Sequence, residues 1–103
     1  MRVYLRKDDK TILEIVDDVR GDFNALLPGI ESKAFKVLRS IDPYSACVIR
    51  PPDIERFIAE WDEITKKATT PRALRLMRKV REMAEHVRAD PALALDFAGS
   101  RGK

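Results

Sequence analysis

From Arg2 to Arg6 the chain alternates, with Val3 and Leu5 pointing one way and Arg2, Tyr4 and Arg6 the other. A period of two predicts a strand. Lys7-Asp8-Asp9-Lys10 follows as a polar turn, without the Gly of the tightest hairpins. Thr11 to Asp17 is rich in β-branched residues and predicts the returning strand. Both of its faces read as partly apolar, Leu13 and Ile15 on one, Ile12 and Val16 on the other. A strand with one face in water alternates more cleanly, so a further segment or a second copy is expected to cover the second face.

The next stretch is broken by turn signals. Asp18 to Gly21 reads as a loop, and Phe23 to Leu27 as a short helix stopped by Pro28-Gly29. Arg20-Gly21-Asp22 spells an adhesion tripeptide, but its Gly is read as serving the turn. Glu31 to Arg39 predicts a second short helix, with Ala34, Phe35, Leu38 and Ile41 along one side. Asp42-Pro43-Tyr44 is a turn, because Pro fixes its own φ and pushes Asp42 out of the helical region. Ala46 to Ile49 predicts a third short strand, ended by Pro51-Pro52.

The period then changes to that of a helix. Ile54, Phe57, Ile58, Trp61, Ile64 and Ala68 recur at helical spacing, which predicts a helix from about Asp53 to Lys67 with Asp53 as its N-cap. Thr70 and Pro71 restart the chain as an N-cap and a first helical position. Ala73, Leu76, Met77, Val80, Met83, Ala84 and Val87 form the apolar stripe of this second helix, which ends near Ala89 before Asp90-Pro91. The short connection predicts an antiparallel helical hairpin. Leu93, Leu95 and Phe97 then alternate with Ala94, Asp96 and Ala98, as in a strand returning to the sheet.

The predicted fold is α+β. A small, mostly antiparallel sheet of three to four strands is packed by the long helical hairpin, with short helices in the connection after the N-terminal β-hairpin. Residues 1–98 make a single domain and 99–103 a flexible tail, a size with room for one core. The opening hairpin, Leu26-Leu27-Pro28, Ile41-Asp42-Pro43-Tyr44 and the closing Leu93-Ala94-Leu95-Asp96-Phe97 resemble a family of small uncharacterised bacterial proteins, chiefly actinobacterial. The resemblance covers most of the chain and implies one domain. It implies no activity and no site residues.

Charge sharpens the picture at one place. Between Ile64 and Arg81 the chain carries seven basic residues and no acidic one, namely Lys66, Lys67, Arg72, Arg75, Arg78, Lys79 and Arg81. The remainder holds all 17 acids against 13 bases, so this stretch alone produces the net charge of +3. Arg72, Arg75, Arg78 and Lys79 fall opposite the apolar stripe, and Lys66 and Lys67 lie across the hairpin turn from Arg72. Arg72 and Arg75 stand near the positive end of their helix dipole, where Asp or Glu would be favoured. Lys66, Lys67, Arg72, Arg75, Arg78 and Lys79 are therefore the candidates for binding an anion or an acidic partner. Aromatics do not interleave with them, since Trp61 falls on an apolar stripe, so base stacking is unsupported. Glu82 and Glu85, four residues after Arg78 and Arg81, disperse part of the charge.

Catalytic patterns are missing. No phosphate-binding loop, dinucleotide fingerprint, zinc spacing or serine triad occurs. His86, the one histidine, reads as a surface residue, and Cys47 as a buried structural thiol. Asp8, Asp9, Glu14, Asp17, Asp18 and Asp22 read as a solvated acidic edge rather than a cation site. Neither a cofactor nor a metal is expected. The N-terminus lacks the apolar middle of a signal peptide and the lone cysteine fits a reducing compartment, so a cytoplasmic location is expected. Apolar runs are too short to span a membrane. The absence of a catalytic constellation, the two-sided apolar second strand and the opposed charged regions point to a non-enzymatic binding protein acting through protein–protein interaction or homo-oligomerisation. The alternative is nucleic-acid or phosphate binding at the basic helix junction.

Overall fold

The computed structural model describes residues 2–8, 10–18, 37, 41 and 47–98. The expected short helices, the turn at Asp42 to Tyr44 and the tail at 99–103 lie outside the described residues, with Val37 and Ile41 excepted. Among the described residues, four strands and two helices follow in chain order: β1 (Arg2–Lys7), β2 (Thr11–Asp17), β3 (Cys47–Ile49), α1 (Pro51–Thr65), α2 (Pro71–Ala89) and β4 (Leu93–Ala98). The strands form one sheet in the order β2-β1-β4-β3, and every pairing is antiparallel. The last strand of the chain thus lies beside the first, which places β1 and β4 at the centre and β2 and β3 at the edges.

One face of the sheet meets the helices. Val3 and Leu5 of β1 are registered with Phe97 and Leu95 of β4, and Ile49 of β3 faces Leu95 from the other side. All are buried in one core with Phe57, Trp61 and Ile64 of α1 and Met77, Val80 and Met83 of α2. Phe57 stacks on Trp61 with ring centroids 5.3 Å apart, and Phe97 packs against both at 5.7 and 6.1 Å. Burying such large apolar side chains is the main stabilising term for a domain this small. The indole Nε1 of Trp61 donates to the Met77 carbonyl at 3.0 Å, so its polar end is satisfied where it is buried.

The helix ends differ from the expectation at one point. α1 starts at Pro51, with Arg50 as N-cap and no side-chain cap, so Asp53 lies within the first turn rather than capping it. The two prolines lack only N–H groups that a helix start leaves unpaired, so they open the helix as readily as they end a strand. At its other end α1 stops at Thr65. Lys66, Lys67 and Ala68 donate to the carbonyls three residues back, tightening the exit. Thr70 caps α2 as expected, accepting from Ala73 N at 3.1 Å. Asp90 stops α2. Its carboxylate accepts from Ala92 N and its carbonyl from Leu93 N, turning the chain into β4.

The expected faces of β2 are corrected by its register. Leu5 pairs with Glu14 but Arg6 pairs with Ile12, so Leu13 is an additional residue in β2. This β-bulge breaks the alternation. Ile12 stands on the outer face with Ile15, opposite Arg6 and Tyr4 respectively, while Val16 alone is buried, opposite Val3. Asp8 takes a positive φ of 55° in the preceding turn, a conformation that Asp tolerates, and its N–H reaches the Ala92 carbonyl at 2.9 Å.

Candidate functional site

Two surfaces emerge, one on each layer. The first is the outer face of α2. At about 100° per residue, Arg72, Arg75, Arg78 and Lys79 share one arc opposite buried Met77, Val80 and Ala84. Arg75, Arg78 and Lys79 are exposed and make no ion pair among the described residues. Arg72 is half-buried. Lys66 is exposed and pairs with Glu63 at 3.1 Å, which offsets its charge locally, and Lys67 is exposed beside it.

Arg81 does not join this surface. Its guanidinium grips Asp62 of α1 through Nε at 2.7 Å and Nη2 at 3.2 Å, and its Nη1 donates to Glu85. These bonds, Asp62 first and then Glu85, push the Arg81 pKa upward. Glu85 also accepts from Arg88, and Arg88 reaches Glu55 of α1 at 3.5 Å. Glu55 and Asp62 stand seven residues apart on α1, as do Arg81 and Arg88 on α2. The four residues therefore lace the antiparallel helices along one seam. The Arg81 hydrogen bond holds the Glu85 carboxyl below its ordinary value. Of the basic run, Arg81 is thus taken up by the fold, while Arg75, Arg78 and Lys79 are left outward.

The second surface is the β2 edge. Ile12, Leu13 and Ile15 are 43%, 48% and 56% exposed, although large aliphatic side chains are usually packed. Inward from them the outer sheet face is polar. Arg6 donates to Asp96 at 2.8 Å and lies over the Tyr4 ring at 4.9 Å, and Arg2 pairs with Asp17 at 3.2 Å. The pairs with Tyr4 and Asp17 raise the Arg2 pKa. Val48, 42% exposed, marks the opposite edge on β3. The apolar exposure therefore concentrates at the rim of the sheet.

The remaining candidates separate. His86 is exposed on α2. Cys47 is half-buried rather than buried, because β3 is a three-residue edge strand, although it packs against the core. Asp8, Glu14 and Asp17 are exposed, but Asp18 is buried, which corrects the reading of a uniformly solvated acidic edge; Asp9 and Asp22 lie outside the described residues. Just past the end of β2 the chain turns Asp18 inward, where a carboxylate needs partners. Glu60, buried on α1, carries no sequence signal of its own. It accepts from Val37 N at 3.0 Å and from Arg56 Nε at 3.1 Å, tying Val37 to the helix layer. Among the described residues no three His, Cys, Asp or Glu side chains gather as a metal site. No helix among them is long and apolar enough to cross a membrane.

No family model matches the chain, and neither curated proteins nor solved structures give a match.

Proposed function

We propose that this chain is a non-catalytic binding protein that docks another protein along the β2 edge. The observation that carries this reading is the exposure of Ile12, Leu13 and Ile15 on an edge strand, next to a polar outer face. An edge strand offers unpaired backbone donors and acceptors, and flanking apolar side chains add contact area. Such a protein works in the cytoplasm, where Cys47 stays reduced. The test places a photoreactive amino acid at position 13 in the native cell. A protein adduct that disappears with Ile15→Lys supports the reading, and the absence of any protein adduct at position 13 overturns it.

A second reading is favoured by Arg75, Arg78 and Lys79, which are exposed without ion pairs among the described residues. They form a site for a phosphate backbone, and because only these few charges take part the affinity falls with salt at a modest log–log slope of roughly −3. Retention of labelled DNA or RNA at low salt, lost with Arg75→Glu/Arg78→Glu, supports it. No retention at low salt removes it.

A further inference from the structure

Two pairs of residues on and beside β2 share one centre. Ile12 and Ile15 are equally far from the midpoint between Leu13 and Glu14, and so are Lys10 and Asp17. The bulge brings Ile12 and Ile15 to the same side of the sheet. In a regular strand, residues an odd number of positions apart fall on opposite faces. Here Leu13 is the additional residue, so Ile12 stands with Ile15 and Asp17 on the outer face, opposite Arg6, Tyr4 and Arg2. Lys10 lies in the turn just before β2, next to the last registered pair of Lys7 with Thr11.

We propose that a second copy of this chain occupies the β2 edge, antiparallel to β2 about a two-fold axis normal to the sheet. In this register Ile12 lies opposite the partner's Ile15 and Lys10 opposite the partner's Asp17. The two-fold axis repeats both pairs, so one register satisfies two apolar contacts and two opposite-charge contacts. A partner of unrelated sequence would have to match this pattern, whereas a second copy carries it already. Stacking of two outer faces is the poorer solution, because it buries the Arg6–Asp96 pair and the Arg2 and Tyr4 side chains. The register has two opposing terms. Asp17 already pairs with Arg2 at 3.2 Å, so the Lys10 ammonium of the second copy has to share that carboxylate. Glu14 of each copy approaches the axis, where like charges repel. An interface built on a single strand is also small, which makes the dimer weak and concentration-dependent.

This inference rests on the reading of β2 as the docking strand. Zero-length carbodiimide coupling of the full chain tests it, with mass spectrometry of the dimer band. Within one chain Lys10 and Asp17 are roughly 23 Å apart along an extended strand, so a Lys10–Asp17 link can form only between copies. The expected result is that link, together with a several-fold drop in dimer affinity for Lys10→Glu by sedimentation. Lys10→Glu/Asp17→Lys restores the affinity, and Glu14→Gln raises it above wild type. Circular dichroism confirms that each variant is folded. A dimer without the link and without rescue overturns the register while leaving docking at β2 intact. A strict monomer up to about 1 mM overturns the second copy as occupant. In that case a position-13 adduct with a different protein preserves the docking reading, and no adduct ends both.

Discussion

β4 lies between two neighbours and buries Leu93, Leu95 and Phe97, whereas β2 lies at the edge, buries Val16 and leaves Ile12, Leu13 and Ile15 exposed. The two strands have comparable apolar content, and only one of them spends most of it on the core. The same division runs along α2. Its C-terminal half holds Arg81 and Arg88 in a network with Asp62, Glu85 and Glu55, while its N-terminal half turns Arg75, Arg78 and Lys79 outward without ion pairs among the described residues. In both elements residue type is a poor guide to role and position decides. Side chains that hold the fold together have partners on another element, and side chains available for binding do not.

This division predicts a graded series of stability effects. Phe97→Ala removes a buried ring that packs on both Phe57 and Trp61, and is expected to cost about 3–5 kcal/mol in urea unfolding. A loss below about 1 kcal/mol would place Phe97 outside the cooperative core. Thr70→Ala removes the α2 cap and is expected to cost about 1 kcal/mol, with Thr70→Ser retaining most of it. Arg81→Ala cuts the seam between the helices. The pair with Asp62 is bidentate but partly exposed, so the expected loss is again about 1 kcal/mol or less, and smaller at high salt.

The pH dependence of the same seam follows from Glu85. Its folded-state carboxyl lies below the ordinary value of 4.5, through the Arg81 hydrogen bond first. The unfolded chain therefore takes up a proton before the folded one does as pH falls. The Glu85 contribution is full above the unfolded value and is lost as pH drops through the lower folded value. Unfolding curves from pH 6 to about pH 3 should show a shallower acid loss for Arg81→Ala than for wild type, by a small margin because the site is exposed. Equal slopes would show that Arg81 does not hold the Glu85 carboxylate.

Most elements were legible in the sequence because their periods were intact. The alternation of Val3 and Leu5, and of Leu93, Leu95 and Phe97, marked β1 and β4, and the stripes from Ile54 and from Ala73 marked the two helices. Three features were not legible, each for the same physical reason. The β2 bulge is a property of pairing with β1, and β2 alone shows only an apolar strand. Arg81 reads as one more base of the basic run until Asp62, nineteen residues away, is brought beside it. Glu60 reads as a solvated helix position until the Val37 amide reaches it. The start of α1 was obscured differently, since a Pro-Pro pair is compatible with both the end of a strand and the beginning of a helix. For the candidate surfaces, the outward bases Arg75, Arg78 and Lys79 were visible from helical spacing, but the clustering of Ile12 with Ile15 required the register.

The smallest expected stability effect belongs to the most informative substitution. Ile15→Lys changes an exposed position on an edge strand, so urea unfolding should match wild type within about 0.5 kcal/mol. Sedimentation equilibrium on the same two samples should show wild type gaining dimer mass with concentration and Ile15→Lys remaining monomeric. Substantial destabilisation by Ile15→Lys with no change in association would contradict the account, because it would make β2 a structural strand like β4 rather than the docking edge.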